Sequence, residues 1–347
     1  MDNSYSMHHL QQFFKDELPV INDYLGRETR QLPELVRPVA EHVLRAGGKR
    51  LRPLLTILFS RCFSAGKKSP DPLPASRDIY PLACAMEFLH SATLLHDDIL
   101  DGSDLRRGQT TAHLIFGRTE TILAGDVLLA LGNRLVAEYG DTRLSWRVAD
   151  AIMRTASGEI QELEWIKNPT LSQEHYLEII TGKTAYLIQA SCHCGALVSN
   201  SGPAVEQAAL DFGINLGIAF QLTDDALDYS AKAEVAGKPV GNDLREGKLT
   251  LPLISYLESI AEHQRHETLA WIRDLGATSD HGVLSDQNRA RHDQIIQAVR
   301  STGCVQQTLD RAAHFVSLAD NALSNLEQTR ECTALREALH HTLHREK

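Results

Sequence analysis

Apolar residues recur at intervals of three and four along nearly the whole chain, as at Leu82, Met86, Leu89 and Thr93, or at Ile179, Ala185 and Ile188 with their neighbours. That spacing gathers them on one face of an α-helix, whereas a half-buried strand needs strict alternation, and no convincing alternating segment occurs. Breaks rich in Gly, Pro, Ser, Asp or Lys fall at 64–76, 167–170, 200–204, 231–248 and 277–282, leaving helix-length segments between them. No shift of composition marks a linker. The expected fold is therefore all-α, with residues 1–347 forming one large helical domain.

A chain of 347 residues that is 43% hydrophobic is long and apolar enough for a sizeable core, which excludes the disordered and fibrous classes. Its 35 basic residues against 45 acidic ones give a net charge of -10, so no general positive field is available to hold a nucleic acid. An anionic ligand has to be met by local groups. The cysteines at 62, 84, 192, 194, 304 and 332 follow no disulfide framework and read as buried thiols of a reducing compartment. Cys192 and Cys194 lack further ligands at metal spacing, and the histidines at 8, 9, 340, 341 and 344 read as solvated terminal residues. The N-terminus shows no basic stretch followed by an apolar one, and no run of 18 apolar residues occurs, so a cytoplasmic protein is expected.

Two aspartate clusters carry the chemistry. The first, His96-Asp97-Asp98-Ile99-Leu100-Asp101, ends a strongly apolar helical segment, and Asp97 and Asp101 share a helix face about 6 Å apart along the axis. The second, Gln221-Leu222-Thr223-Asp224-Asp225-Ala226-Leu227-Asp228, repeats the spacing and adds an amide one turn earlier. Like charges stacked at i, i+4 destabilise a helix unless a cation lies between them, and oxygen-only ligands of this kind suit Mg²⁺ shared with phosphate oxygens. One such cluster could be a solvated helix end; two on apolar helices favour the metal.

The cations gather near these clusters or on glycine turns. The polar turn Gly102-Ser103-Asp104-Leu105-Arg106-Arg107-Gly108 follows the first cluster at once, and guanidinium forks suit bidentate phosphate binding. Gly47-Gly48-Lys49-Arg50-Leu51-Arg52-Pro53 precedes a helical run, with Pro53 suited to its first turn, so that backbone N–H groups, Lys49 and Arg52 favour a phosphate there. Gly182-Lys183-Thr184 is not a nucleotide loop, because position 177 is Leu where that motif needs Gly and no strand precedes it. A loop from Gly237 to Lys248, carrying Lys238 and Lys248, follows the second cluster and reads as a flap able to close on phosphate.

In this order, the segments GGKRLRP, HDDILDGSDLRRG, GKT, FQLTDDALD and GKPVGNDLREGK, spanning residues 47 to 248, make the chain similar to the trans-isoprenyl diphosphate synthases. The resemblance implies an all-α barrel around a deep apolar cavity, a homodimer, and both aspartate clusters at the cavity mouth. It implies that Asp97, Asp101 and Asp224 hold Mg²⁺, about three ions once substrate is bound, for which Mn²⁺ could substitute. Asp98, Asp225 and Asp228 would be indirect or water-mediated partners. Arg106, Lys183 and Lys238 would contact the diphosphate of an allylic substrate (dimethylallyl, geranyl or farnesyl), with Thr184, Gln221 and Lys248 nearby. Lys49, Arg52, His90 and Arg107 would form a separate pocket for isopentenyl diphosphate.

The implied reaction is head-to-tail condensation through an allylic carbocation, with Phe220 either steadying positive charge or simply filling the core. Short-chain members of the family carry an aromatic residue four or five positions before the first aspartate, or an insertion in the motif. This chain has Thr93 and Ala92 there and no insertion, so the cavity could run past Leu89 toward Gly125–Leu129 and a product of twenty carbons or more is expected, one that might pass to a membrane. Two other readings compete. A class I terpene cyclase would replace the second aspartate motif by an Asn/Ser/Glu motif, and a non-catalytic partner subunit would have lost motif residues.

Overall fold

The computed structural model describes residues 7–62, 78–166, 168, 170–230, 241–274 and 286–344. The helices in chain order are α1 (His8–Arg30), α2 (Arg37–Arg45), α3 (Leu51–Arg61), α4 (Tyr80–Leu100), α5 (Ala112–Phe116), α6 (Arg118–Ala137), α7 (Thr142–Trp165) and α8 (Gln173–Ile180). They continue with α9 (Tyr186–Val198), α10 (Pro203–Ser230), α11 (Asn242–Glu246), α12 (Leu251–Ser259), α13 (Glu262–Asp274), α14 (Asp286–Ser301), α15 (Cys304–Ala322) and α16 (Arg330–His344). A π-helical turn, Thr181–Ala185, joins α8 to α9.

The expectation of helices throughout meets one exception. The turn after the first aspartate cluster is a hairpin of two-residue strands, β1 (Leu105–Arg106) and β2 (Gln109–Thr110), with Leu105 opposite Thr110. Two residues a side are too few to show an alternating pattern, so the hairpin was not legible beforehand. Of the terminal histidines, His8, His9 and His344 are exposed as expected, and His340 and His341 are more enclosed. His9 Nδ1 lies 3.0 Å from Glu337 Oε1, whose other oxygen accepts from the Leu10 N–H in the first turn of α1, and His340 and His341 are half-buried on α16. A buried carboxylate at a helix start satisfies amides that the helix itself cannot.

The chain groups into two compact units, one of Met1–Met153, Tyr186–Ile214 and Leu318–His340, the other of Arg154–Ala185, Asn215–Ser317 and His341–Lys347. The boundaries fall inside α7, α10, α15 and α16 and between the π-turn and α9.

The first unit is organised on α4, which packs against α1, α3, α6 and α9. Its residues from Leu82 to Leu89, with Ser91, Ala92, Leu95, Asp98 and Ile99, are buried, while His90, Thr93, Leu94 and Asp97 are only partly so. Helix α6 approaches closely because glycine faces α4 twice, seven residues apart: the His96 ring lies over Gly125, and a Cβ on Gly132 would stand 2.8 Å from Leu89 Cδ2. Leu89 is thereby wholly buried against α6, so the route past Leu89 that the sequence suggested is filled. Helix α3 contributes Leu54 to Ser60 to the same core, and Gly195 of α9 fits beneath the Thr56 carbonyl. All six cysteines are buried and unbridged.

In the second unit, α8 is capped by Ser172, whose hydroxyl accepts from the His175 N–H at 3.2 Å, and α12 starts with a proline in its first turn. Among the described residues no helix is long and apolar enough to cross a membrane.

Candidate active site

Within the first unit, the GGKRLRP segment, the α4 stripe and the β1–β2 hairpin come together. The two arginines of the segment are sorted by the backbone at Arg50, which adopts a left-handed conformation with φ of 48°. Its guanidinium turns inward, donating to Glu87 Oε1 at 2.6 Å, the Leu44 carbonyl at 2.6 Å and Asn22 at 3.3 Å. Arg50 is thus structural, and Arg52, in the first turn of α3, is left facing His90 and Arg107.

Arg107 also has a left-handed backbone, with φ of 52°, and its guanidinium rests on Gly48, where a Cβ would be 2.7 Å from Nη1. Strain of this kind in a non-glycine residue persists only where surrounding contacts hold it, and two instances flank one histidine. Among the described residues neither Arg52 nor Arg107 makes an ion pair, and Arg52 Nε is buried with no hydrogen-bond partner. Burial draws the Arg52 guanidinium down to about 10, with Arg107 acting in the same direction against Glu87. Burial and then Arg52, Arg107, Arg106 and Arg50 drive His90 well below the usual histidine range, so it is neutral at pH 7. A cluster of cations around the half-buried His90, with Arg52 half-buried, Arg107 more exposed and no ion pair to either arginine among the described residues, is a ready anion site.

Two turns beyond His90 along α4 lies the first aspartate cluster. Asp97 and Asp101 are half-buried and successive on one face, the Asp101 N–H donating to the Asp97 carbonyl at 2.8 Å. Asp98, buried, accepts from Arg106 Nε at 2.5 Å. Lys49 is exposed on the turn before α3.

The second unit carries the second cluster and the lysines. On α10, Asp224 is half-buried, while Asp225 and Asp228 are buried and held by protein groups. Asp225 accepts from the Tyr176 hydroxyl and from Gln221 Nε2 at 2.9 Å, and burial pushes its carboxyl up to about 7 despite those bonds. Asp228 accepts from the backbone N–H groups of Asn242 at 3.3 Å and Asp243 at 3.1 Å. Burial, then Asp228 and Asp225, raises the Asp243 carboxyl well above the usual range.

Lys183 sits on the π-turn, a distortion common at functional sites because it re-aims one side chain without ending the helix. The turn abuts α7 backbone to backbone: a Cβ on Gly182 would stand 2.9 Å from the Gly158 Cα, and a Cβ on Gly158 would overlap the Lys183 nitrogen. Lys183 Nζ consequently reaches Glu159 Oε2 at 2.9 Å and Glu162 Oε2 at 2.5 Å. Burial opposes its charge, but Glu162 and Glu159 outweigh that, and its pKa lies above the ordinary lysine value. Lys248 Nζ is 2.8 Å from Glu246 and 3.8 Å from the same Glu162. Thr184 donates to Gln221 Oε1 at 2.8 Å.

An open pocket of about 110 Å³ lies here, with Trp165, Ile179 and Leu249 on its apolar wall and Lys183, Asp225 and Lys248 among its polar groups. Such a mixture of apolar wall and few convergent charges is the usual character of a ligand site.

The sequence matches the family model for polyprenyl synthetases over residues 33–285, from the end of α1 past α13 and through both aspartate clusters. The chain belongs to the polyprenyl synthetase family. It is a prenyltransferase of the polyprenyl diphosphate synthase kind, with the all-α isoprenoid synthase fold. It is 32% identical over 298 residues to an octaprenyl diphosphate synthase of Escherichia coli, covering 85% of each chain. Its structure is similar to that of a polyprenyl synthase from Caulobacter crescentus solved with calcium and isoprenyl diphosphate, with a TM-score of 0.86, 35% identity and 99% of each chain covered. A decaprenyl diphosphate synthase from Rhodobacter capsulatus aligns with a TM-score of 0.83 and 31% identity over 97% of this chain and 98% of that one.

Against this family background, the structure brings Arg52, His90, Arg106, Arg107, Asp97, Asp98 and Asp101 together in one unit, and Lys183, Thr184, Gln221, Asp224, Asp225, Asp228 and Lys248 in the other. Lys238 lies outside the described residues. Phe220 is half-buried one turn before Asp224, so it is not a fully enclosed core residue.

Sequence reasoning missed Glu87, Glu159, Glu162, Tyr176 and Asp243. The spacing of Glu159 and Glu162 at i, i+3 on a helix was visible, but nothing local says that lysines from a later turn will meet them.

Proposed function

We propose that the protein condenses isopentenyl diphosphate with an allylic diphosphate and releases a trans-polyprenyl diphosphate of twenty carbons or more. The observation that carries this is the pair Arg52 and Arg107 around a neutral His90, an anion pocket distinct from the cations that already sit on carboxylates. It fits a second diphosphate substrate, which a one-substrate cyclase lacks. Lys49 borders this pocket. Arg106, Lys183, Lys238 and Lys248 serve the allylic diphosphate, with Thr184 and Gln221 orienting it; the first two and Lys248 exchange Asp98, Glu159 and Glu162 for phosphate oxygens.

Asp97, Asp101 and Asp224 hold the Mg²⁺, on the order of three ions with Mn²⁺ as a substitute, while Asp98, Asp225 and Asp228 support from behind. The donor set fits: each cluster offers half-buried carboxylates, oxygen donors that suit Mg²⁺, beside buried carboxylates that protein groups hold in place. Bound Mg²⁺ neutralises the charge that grows on the departing diphosphate.

Arg106 and the lysines stabilise the same leaving group as the carbon–oxygen bond breaks and its electron pair departs with diphosphate. Arg52, His90 and Arg107 hold isopentenyl diphosphate so that its double bond attacks the allylic cation, forming the new carbon–carbon bond. A proton leaves for the released diphosphate, and the product is five carbons longer. No side-chain nucleophile takes part.

The two units act as one catalytic domain, a reading supported by a family match that runs through both. A homodimer is supported by the exposed apolar residues Leu114, Ile115, Ile122 and Leu123 of α5 and α6, and by Trp146 and Met153 one heptad apart on α7. The enzyme works in the cytoplasm and passes its water-insoluble product to a membrane.

Purified protein incubated with isopentenyl diphosphate, Mg²⁺ and each allylic primer in turn tests this. Linear polyprenyl diphosphates of twenty carbons or more are expected; cyclised products, or no condensation by this chain alone, would favour the cyclase or the partner-subunit reading. Thr93→Phe should shorten the product toward fifteen carbons and spare condensation on a short primer, because Thr93 lies one turn before Asp97 on the half-buried stripe of α4. Ala92 is not its equivalent, since it is wholly buried among packed helices and a ring there would cost about 1–3 kcal/mol of stability instead. An unaltered product length in Thr93→Phe would place the growing chain along another helix.

The two diphosphate pockets separate in a second comparison. Arg52→Ala should raise KM for isopentenyl diphosphate by about tenfold or more with little change for the allylic primer, the scale of losing one charge-assisted hydrogen bond. Arg106→Ala should chiefly lower kcat, because it also strands the buried Asp98. Weakening of the same substrate by both substitutions would refute the partition.

A further inference from the structure

Helix α14 runs from Asp286 to Ser301, beyond residue 285 where the family match ends. Three of its residues spaced by one turn, His292, Ile296 and Arg300, grip backbone near the second aspartate cluster. Arg300 Nε donates to the Tyr229 carbonyl at the end of α10. His292 Nε2 is 3.0 Å from the Gly241 carbonyl oxygen, and Ile296 Cδ1 lies where a Gly241 side chain would begin. A carbonyl oxygen can only accept, so Nε2 carries the proton and donates it. His292 is 1% exposed, with Nδ1 3.1 Å from the surface carboxylate of Asp293.

Gly241 needs this close approach twice over. Its backbone is left-handed, with φ of 72°, and a Cβ would stand 2.8 Å from His292 Nε2. From that turn three successive N–H groups point at Asp228: Gly241 donates to its carbonyl at 3.0 Å, Asn242 to Oδ1 at 3.3 Å and Asp243 to Oδ2 at 3.1 Å. The direction of the Asn242 donor follows the Gly241–Asn242 peptide, whose carbonyl is held by His292 together with the Arg245 N–H at 3.2 Å.

We infer that His292 is a positioning residue for prenyl transfer: by holding the Gly241 peptide it orients Asp228 and Asp243 behind Asp224, without touching substrate. The inference rests on the reading of Asp224 to Asp228 as a Mg²⁺-binding cluster. Groups that orient metal-binding carboxylates typically change metal affinity or activity by about 10–100-fold when removed. A residue that merely filled the core would change stability and leave the metal requirement alone.

The experiment compares His292→Met, which keeps volume and loses the donor, with His292→Gln, which keeps an N–H donor. Both are full-length, and each is titrated with Mg²⁺ in the condensation assay and, independently of turnover, with Mn²⁺ followed by the paramagnetic resonance signal of the free ion, alongside Asp224→Ala. Expected is a rise of about tenfold in the half-activating Mg²⁺ concentration for His292→Met, with His292→Gln restored to within about threefold of the parent. His292→Phe replaces the Met variant in the comparison if the latter does not accumulate as folded protein. A parental Mg²⁺ response in the donor-less variant, or equal impairment of the two variants, overturns the positioning role. If Asp224→Ala also responds to Mg²⁺ like the parent, the reading of the cluster itself falls.

Discussion

Asp97→Ala and Asp224→Ala should each lower kcat by about 10²-fold or more at saturating substrate, the scale of removing one electrostatic partner of a leaving group. Each removes a half-buried carboxylate of its cluster, and full chelation of divalent metal should abolish turnover in the parent enzyme. Asp225→Ala should behave differently. Its carboxylate is committed to Tyr176 and Gln221, so truncation strands a buried hydroxyl and amide and should cost about 1–3 kcal/mol of stability, with a smaller loss in kcat per folded molecule. Steady-state kinetics with a Mg²⁺ titration, beside thermal unfolding of the same preparations, separates the two patterns. Equal kinetic losses in Asp224→Ala and Asp225→Ala would contradict the division into half-buried and buried carboxylates, and undiminished turnover in excess chelator would remove the mechanism.

Gly158→Ala should be nearly as damaging although residue 158 carries no chemistry. The added methyl overlaps the backbone of Gly182 and Lys183, a collision that no side-chain rotation relieves, so α7 and the π-turn must move apart. Overpacking of this kind costs about 1–3 kcal/mol. A displacement of about 1 Å in a charge that contacts the reacting group can cost on the order of 10² in rate. In the proposed mechanism Lys183, which rests on Glu159 and Glu162, is such a charge. We expect a lowered melting temperature together with a kcat loss of about 10²-fold that persists at temperatures where the variant is fully folded. A variant that is destabilised but catalytically normal would show that Lys183 does not depend on the glycine contact.

Two acids outside the recognised motifs, Glu159 and Glu162, join Asp98 and Glu246 within them in pairing with cations of a chain of net charge -10. Arg106 rests on Asp98 in one unit, and Lys183 and Lys248 rest on Glu159, Glu162 and Glu246 in the other, which keeps each side chain ordered. Arg52 and Arg107 have no such partner, and the cost of holding them together is visible in the lowered values of Arg52 and His90.

The helical class, the two aspartate clusters and the cationic segments were legible from residue order alone, because a 3.6-residue repeat and an i, i+4 carboxylate pair are local properties that sequence spacing sets directly. Spacing could not rank neighbours within a cluster. Asp97 and Asp98, or Asp224 and Asp225, are chemically identical on paper, and which one is buried against a protein donor depends on where Arg106 or Tyr176, residues from other segments, arrives. Arg50 and Arg52 likewise look alike until the left-handed turn at Arg50 sends one to Glu87 and leaves the other facing His90. The carboxylates beneath Lys183, the glycine contact that aims it and the grip of His292 on Gly241 join residues 21 to 51 positions apart. Such contacts are decided by how helices pack, not by any helix alone, and only the tertiary structure sets them.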